Sequence, residues 1–248
     1  MSSTVDRVSV LLGTYLFQDL TPAEVEPLAR TAEIRQFGRG ERIFDVGDRA
    51  DQLYVIVGGE ARDSILTDDG DEYMYAMWGP GMVVGEPGFF AAEKTRVMAF
   101  IAVQPTTVLL LAYDRVMPFL AQHPAAMSRA LEGLASYSRA QTVQLATTAL
   151  RSLRERLLLR LLELADTNPL RPDGSAVTPH VSQSTLSTMV GVSRENVNRA
   201  LASLVAAGAV RSEGGQYIVV DRARAWREIT SGSPEVGRPN RRTGGQRD

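Results

Sequence analysis

With 248 residues, 44% of them hydrophobic, and a formal net charge of -2, the chain is long enough for one large or two modest domains. The absence of cysteine excludes disulfides, cysteine-ligated iron–sulfur clusters and thiol catalysis, and two widely separated histidines, His123 and His180, argue against a metal site. No apolar run reaches the ~18 residues of a membrane span and no signal peptide is recognisable, so we expect a cytoplasmic protein without a membrane partner.

The charges are unevenly distributed along the chain. Residues 1–150 carry 12 basic and 19 acidic side chains, a balance of -7, whereas residues 151–248 carry 15 basic and 10 acidic side chains, a balance of +5. A basic C-terminal part favours a polyanionic partner, although such an asymmetry can also arise by chance.

Residues 1–122 are expected to form the first domain. The segment 4–32 has a helical pattern, with Thr21 as a helix cap and Pro22 as the first helical residue. From about Ile34 to Tyr113, short β-rich runs alternate with glycine-containing turns, which is typical of an all-β barrel or jelly roll.

One segment of this region, VVGEPGFFAAEKTRVMAF from Val83 to Phe100, combines a carboxylate (Glu86) and a guanidinium (Arg96) with otherwise mostly apolar residues. The two groups are either a solvated pair at a loop or the holders of a polar ligand inside the barrel. A carboxylate can accept a hydrogen bond from a hydroxyl, and a guanidinium can bind a phosphate diester through two parallel hydrogen bonds.

Residues 123–150 have the pattern of one long helix. Steps of four and three residues connect the members of a coiled-coil seam with a polar centre: Met127, Leu131, Leu134, Ser138, Gln141, Leu145 and Thr148. Such a seam favours a dimerisation helix in a parallel homodimer; the alternative is a helix that packs on its own barrel.

Residues 151–230 are expected to bind double-stranded DNA. After an apolar helix, Leu153–Ala165, the stretch from Ser182 to Val210 predicts two helices joined at Gly191, where a left-handed turn is needed. Ser193 is placed to cap the second helix, and a β-hairpin wing follows around Gly214. The remaining residues, 231–248, are rich in Gly, Pro and Arg and are expected to be disordered.

The second helix of this motif presents four polar side chains within about 140° of its circumference. Arginine can bind a guanine edge and glutamate can accept from a cytosine amino group. With the flanking serines, the candidate DNA-binding residues are Ser182, Ser184, Ser193, Arg194, Glu195, Asn198 and Arg199.

Barrel, long helix and winged helix-turn-helix occur here in the order of the cyclic-AMP receptor protein/FNR family of bacterial transcription regulators, which the chain resembles over residues 10–222. The resemblance rests on the motifs RGERIFDVGDRADQLYVIVGGEAR, VVGEPGFF with Arg96, and VGVSRENVNRAL. It implies an α+β fold with an N-terminal cyclic-nucleotide-binding-like β jelly-roll barrel, a long dimerisation helix and a C-terminal winged helix-turn-helix domain. Residues 1–122 would then be a sensor domain. It also implies a non-enzymatic, allosteric homodimer that binds a pseudo-palindromic operator with TGTGA-like half-sites, with RNA polymerase as a further partner.

The resemblance further implies an effector site for a cyclic nucleotide, with cyclic AMP favoured and no metal. In the family pattern, Gly85 opens a turn, Glu86 holds the ribose 2′-hydroxyl, and Arg96, eleven residues after the glycine, holds the cyclic phosphate. The implied ligand-binding residues are Gly85, Glu86, Pro87, Arg96, Val97, Gln141 and Thr142.

The chain departs from the family pattern at three places in this site. Val97 replaces a frequent serine, Pro87 removes an amide donor, and Gln141 and Thr142 replace a Thr-Ser pair on the long helix. Three alternatives therefore stay open: an effector with another base, such as cyclic GMP; cyclic di-GMP; or a ligand-independent regulator whose vestigial barrel is closed by a Glu86–Arg96 ion pair. An enzyme on a jelly-roll scaffold is not supported, since neither a histidine-rich metal set nor a nucleophile–base pair is recognisable.

Overall fold

The structure, a computed structural model, describes residues 5–66, 72–166 and 168–230, and at residues 224, 227, 228 and 230 the backbone only. The predicted tail, 231–248, lies outside the described residues. The chain divides into two compact units, one up to Val143 and one from Gln144 onward. No helix of the described part is long and apolar enough to cross a membrane.

The described part of the first unit contains eight strands, with two helices before them in the chain, one short helix among them and two helices after them. The elements are α1 (Arg7–Leu12), α2 (Pro22–Thr31), β1 (Glu33–Phe37), β2 (Arg42–Phe44), β3 (Gln52–Gly58), β4 (Ala61–Leu66), β5 (Glu72–Trp78), β6 (Val83–Val84), α3 (Glu86–Phe90), β7 (Ala99–Ala102), β8 (Thr106–Ala112), α4 (Tyr113–Gln122) and α5 (Pro124–Leu150), whose last residues belong to the second unit.

The strands form two antiparallel four-stranded sheets, ordered β1-β8-β3-β6 and β2-β7-β4-β5. Their inner faces share one apolar cluster, which includes Phe44, Ile56 and Phe100. The predicted jelly-roll barrel is therefore confirmed.

The β1-β8-β3-β6 sheet is buried on both faces. Along β3, Tyr54 and Ile56 join the inner cluster, whereas Leu53 and Val55 pack against the helices outside. Because side chains alternate between the faces of a strand, the uninterrupted apolar run of β3 supplies both cores at once.

The N-terminal helices are shorter than the predicted helical segment 4–32, because the chain leaves the helix after Leu12 and turns until Leu20. The predicted cap of α2 is confirmed: the Thr21 side chain accepts from the Glu24 amide, and the Glu24 carboxylate accepts from the Thr21 amide.

Helix α5 has two different faces. Ala126 and Ala130 are buried against the first unit, and an added Cβ at Gly133 would lie 2.5 Å from the Tyr15 hydroxyl oxygen. On the predicted seam, by contrast, Leu131 is 62% exposed and Leu145 is 71% exposed. The helix therefore packs on its own barrel along one stripe and leaves part of the seam open to solvent.

The second unit is built from α6 (Leu153–Ala165), β9 (Ala176–Val177), α7 (Gln183–Val190), α8 (Arg194–Ala206), β10 (Val210–Glu213), β11 (Gln216–Val219) and α9 (Arg222–Thr230). The three strands form one sheet, in the order β10-β11-β9. The buried leucines of α6 pack against α7 and α8, which contribute the buried Leu186 and Leu201 to the core of this unit. Helix-turn-helix and wing are both present, as predicted.

Candidate functional site

Arg96 lies inside the barrel, where it is only 3% exposed. Its Nη1 donates to the Gly85 carbonyl at 2.8 Å and its Nη2 to the Gln52 carbonyl, and its Cζ lies 4.4 Å from the centre of the Phe44 ring. The Nε has no hydrogen-bond partner among the described residues, and burial lowers the pKa of the guanidinium. The interpretation of Arg96 as part of a solvated pair is therefore wrong.

The backbone at the start of α3 explains how this arginine approaches so closely. Gly85 has a φ of 102°, in the left-handed region that favours glycine, and a Cβ there would lie 2.5 Å from the Arg96 Nη1. Pro87 occupies the first turn of α3, where an amide has no partner within the helix. A loop without a side chain at residue 85 is thus a condition for the buried arginine.

Glu86 is turned toward another partner. The Tyr15 hydroxyl donates to its Oε1 at 3.0 Å. Burial raises the pKa of Glu86, and burial together with the Glu86 charge raises the pKa of Tyr15. Among the described ion pairs, none joins Glu86 to Arg96, so a direct ion pair between them does not close the barrel.

Asp63 is a third ionisable group in the interior, and the sequence analysis missed it. Its side chain is 5% exposed, and its Oδ2 accepts from the Trp78 Nε1 at 2.7 Å. Burial raises the pKa of Asp63 to about 7; Glu86 acts in the same direction and Arg96 in the opposite one. The only available signal was a charged residue in the middle of the β-rich run ARDSIL.

Two tyrosines face each other near these carboxylates. The ring centres of Tyr75 on β5 and Tyr137 on α5 are 6.0 Å apart. Tyr137 shares a hydrogen bond with the half-buried Gln141, and the charges of Asp63 and Glu86 contribute to its raised pKa, whose main cause is burial. The structure therefore places Gln141 on the same side of α5 as the buried polar groups.

Two of the implied ligand residues are not brought to this interior. The Val97 side chain is 64% exposed. Thr142 is exposed as well, and its hydroxyl donates to the Ser138 carbonyl of its own helix at 3.0 Å. Neither side chain is among the buried groups of the barrel.

Lys94, the only lysine of the sequence, holds the loop before Arg96. Its Nζ donates to the Phe89 carbonyl at 2.7 Å and lies 3.5 Å from the centre of the Tyr113 ring. The residue adopts a φ of 51°, which non-glycine residues rarely do.

In the second unit, the helix-turn-helix is shaped by short-range hydrogen bonds. Ser182 accepts from the Thr185 amide at 3.0 Å and Ser193 from the Asn196 amide at 3.3 Å, so each serine caps a helix. Gly191 has a φ of 66° and ends α7, as predicted. Ser182, Ser184 and Ser193 are all exposed at the N-terminal ends of α7 and α8.

Helix α8 separates polar from apolar residues as its sequence predicts. The four candidate DNA-binding side chains are exposed: Arg194, Glu195, Asn198 and Arg199. The opposite stripe, Val197, Leu201 and Leu204, is buried. The Asn196 side-chain oxygen accepts from the Arg199 guanidinium, which holds this arginine along the helix surface.

The wing next to α8 turns at two glycines. Gly214 and Gly215 have φ values of 56° and 81°, the pair of positive values that a two-residue hairpin turn requires. The Thr178 hydroxyl accepts from the Tyr217 amide at 3.0 Å, which anchors the hairpin to the strand β9 segment.

Comparison with known protein families gives the same two parts. A cyclic nucleotide-binding domain model matches residues 34–123, and a Crp-like helix-turn-helix domain model matches residues 155–224. The chain belongs to the cyclic-AMP receptor protein/FNR family of transcriptional regulators. Members of this family bind DNA through the helix-turn-helix, and their described role is regulation of transcription rather than catalysis.

Individual relatives agree over most of their length. The chain is 27% identical to the CRP-like cAMP-activated global transcriptional regulator of Mycobacterium tuberculosis, over 87% of this chain and 96% of the relative. It is 29% identical to the cyclic AMP receptor protein of Thermus thermophilus, over 85% of this chain and 94% of the relative. The structure of the c-di-GMP-responsive global regulator CLP of Xanthomonas campestris has the same fold, with a TM-score of 0.70 at 22% identity, covering 81% of this chain and all of that one.

Proposed function

We propose that the protein is a homodimeric regulator whose affinity for its DNA operator is controlled by a cyclic nucleotide bound inside the N-terminal barrel. The observation that carries this proposal is the buried guanidinium of Arg96, which forms no ion pair with any described carboxylate and keeps its Nε unpaired. Burial of a charged group without a counter-ion in direct contact is costly, on the order of several kcal/mol, so an anion at this position would be stabilised.

The groups around Arg96 suit the other parts of a nucleotide. The Tyr15 hydroxyl occupies one lone pair of the Glu86 carboxylate, and a remaining lone pair can accept a hydrogen bond from a ribose hydroxyl. A phosphate diester would take the free Nε and one terminal nitrogen of Arg96 in a two-pronged contact. Cyclic AMP is the first effector to test, because two relatives that cover most of this chain are named for it.

The dimer is proposed from the open part of the α5 seam. Leu131 and Leu145 lie on the predicted seam and are each more than half exposed, so a second copy of α5 would bury them. Gln141 belongs to the same seam and lies between its exposed leucines and the barrel stripe, which would place an effector within reach of the dimer contact. Effector binding could then shift the population of dimers whose recognition helices are about one DNA turn, ~34 Å, apart.

The effector is tested by titration calorimetry of the full chain with cyclic AMP, cyclic GMP and cyclic di-GMP. Saturable binding is expected, with a loss of at least about 100-fold in Arg96→Ala and a smaller loss in Arg96→Lys, which keeps the charge without the fork. Arg35→Ala, which removes an exposed arginine of β1, is the control and should bind normally. If no nucleotide binds to the unmodified, folded protein, the barrel is not an effector site.

The dimer is tested by two matched substitutions on α5. Leu145 and Val143 are similarly exposed, at 71% and 65%, but lie about 200° apart around the helix. Leu145→Asp should shift the protein from dimer to monomer in analytical ultracentrifugation, whereas Val143→Asp should remain dimeric. Equal behaviour of the two variants would contradict the proposed seam.

The DNA part is tested with a duplex that contains two TGTGA-like half-sites in a pseudo-palindrome. Binding is expected to exceed that to a random duplex of the same length, and more so with the effector than without it. Affinity for both duplexes has to be measured at one salt concentration, since phosphate contacts make it salt-dependent. Such a regulator would act in the cytoplasm, where a bacterial cell keeps its DNA.

A further inference from the structure

The Asp63 side chain points into the barrel. In the antiparallel pairing of β4 with β7, Asp63 lies directly opposite Phe100, which is fully buried in the inner cluster. Residues opposite one another in such a pair project from the same face of the sheet. On the other side, Asp63 pairs with Ala76 of β5, which contributes only a methyl group to that face.

The surroundings of this carboxylate leave it short of partners. Its one hydrogen bond within the described residues comes from the Trp78 Nε1, and no arginine or lysine among them forms an ion pair with it. A buried carboxylate normally accepts several hydrogen bonds or pairs with a cation. Burial accordingly raises the pKa of Asp63 to about 7.

Aromatic rings enclose the same place. The register of β4 and β5 shifts between Asp63 and Ser64, so that Tyr75 is an extra residue of β5, which forms a bulge. The Tyr75 ring packs edge-on against the Tyr137 ring, and the Trp78 Nε1 donates a hydrogen bond to Asp63 itself. Flat rings around a polar edge suit a planar, hydrogen-bonding ligand group such as a nucleobase.

The strand order gives the positions of the charged groups in the barrel. Arg96 lies over the Phe44 ring of β2, and β7 with Phe100 separates that strand from β4, which carries Asp63. The charges of Asp63 and Glu86 both act on the pKa of Tyr137. A nucleotide with its phosphate at Arg96 and its ribose at Glu86 would therefore have its base near Asp63 and Tyr137.

We propose that Asp63 recognises the base of the effector and selects guanine over adenine, by accepting hydrogen bonds from the guanine N1–H and 2-amino groups. The inference rests on the proposed function, since it assumes a cyclic nucleotide in the barrel. An ionised carboxylate is an acceptor only, and the guanine edge offers it two adjacent donors. Adenine presents its N1 lone pair there instead, so the Asp63 carboxylate and the adenine N1 would both be acceptors and would repel each other.

The experiment is titration calorimetry of the full chain at pH 8 with cyclic GMP, cyclic di-GMP and cyclic AMP. One of the two guanine nucleotides should bind about 10- to 100-fold more tightly than cyclic AMP, which is the discrimination expected from a two-pronged contact. Cyclic GMP and cyclic di-GMP share the base, so whichever binds more tightly identifies the source of the guanine.

Asp63→Asn is the decisive variant. With the asparagine oxygen bonded to Trp78, its amide group faces the base as a donor, which suits the adenine N1 and opposes the guanine N1–H. The variant should lose at least about tenfold in affinity for the guanine nucleotide and none for cyclic AMP. Asp114→Asn, which changes an exposed aspartate of α4, is the matched control and should behave as the unmodified chain.

The outcomes separate this inference from the proposed function. If cyclic AMP binds more tightly than both guanine nucleotides and Arg96→Ala abolishes that binding, the effector site stands and the guanine selection by Asp63 is wrong. The same conclusion follows if Asp63→Asn weakens all three nucleotides equally, since the side chain would then only support the fold. If none of the nucleotides binds to the unmodified chain, the effector site itself fails.

Discussion

The two units keep their functional polar groups in opposite environments. In the barrel, Asp63 and Arg96 are almost completely buried, and each lacks part of the hydrogen bonding that a charged group needs. On α8, Arg194 and Arg199 are exposed to solvent. A site for a small ligand has to enclose it, whereas a surface for DNA has to stay open, and only enclosure imposes a desolvation cost on the protein that waits for its ligand.

This difference predicts a graded effect of substitutions on the free energy of unfolding, large for buried polar groups and negligible for the exposed arginines of α8. The chain has two tryptophans, Trp78 in the barrel and Trp226 in α9, so each unit can be followed separately after Trp226→Phe or Trp78→Phe.

The largest effect is expected for Asp63→Asn in the Trp226→Phe background. The folded barrel raises the pKa of Asp63 from 3.8 to about 7, so the folded state binds a proton that the unfolded chain has lost, and stability falls as the pH rises between these values. Asparagine carries no charge, so the variant should have a larger free energy of unfolding, by up to about 4 kcal/mol at pH 8 and about 2 kcal/mol at pH 5.5. Urea unfolding at both pH values measures the difference.

The titratable groups that are coupled to Asp63, namely Glu86, Arg96 and Tyr137, remain in both proteins, so the comparison measures the titration of Asp63 together with its coupling to them. An equal gain at pH 8 and pH 5.5 would show that Asp63 titrates like an exposed aspartate.

Gly133→Ala is expected to lower the free energy of unfolding by about 1–3 kcal/mol, measured in the same way by urea unfolding. The new Cβ would lie 2.5 Å from the Tyr15 hydroxyl oxygen, so the tyrosine must move and its bond to Glu86 must lengthen. Alanine is otherwise the better helix residue by up to about 1 kcal/mol, so a gain in stability would contradict the contact. The double variant with Tyr15→Ala should cost less than the sum of the two single changes.

Ser193→Ala should cost about 1 kcal/mol of the stability of the second unit, because the Asn196 amide loses the side-chain acceptor at the start of α8. Followed through Trp226, the loss should be absent from Ser203→Ala, which changes an exposed serine within the same helix. A similar loss in both variants would mean that the cap contributes nothing specific.

The smallest effect on stability is expected for Arg199→Ala, within about 0.5 kcal/mol, since the side chain is exposed. Its effect on operator affinity should nevertheless be about 1–3 kcal/mol, with relaxed preference at one base pair, as measured by fluorescence anisotropy. Arg160→Ala on α6 is the control. If Arg199→Ala weakens a random duplex as much as the operator, the arginine is a phosphate contact only.

The two units also differ in how far the sequence predicts them. The helix-turn-helix and its wing are specified by residues whose contacts lie within about four positions along the chain. They are the Ser182 and Ser193 caps, the Gly191 turn and the glycine pair of the wing. Local chemistry of this kind is visible in a single sequence.

The pocket depends instead on contacts between distant residues. Tyr15 and Glu86 are 71 positions apart, and Trp78 and Asp63 are 15 apart on neighbouring strands. The sequence indicated Gly85, Glu86 and Arg96, through their pattern, but not the second stripe of α5, where Ala126, Ala130 and Gly133 repeat at helical spacing. Small residues at such positions indicate close packing only after the opposing surface is known.

The position of Lys94 gives the barrel a built-in chemical reporter. Because the sequence contains no other lysine, an amine-directed acylating reagent has a single side-chain target, two residues before Arg96. Its Nζ reacts faster once it leaves the Phe89 carbonyl and the Tyr113 ring, so a change in the rate of acylation reports a change in how often this loop opens. The opening of one loop can thus be timed in the intact protein by mass spectrometry, without introducing a label by mutation.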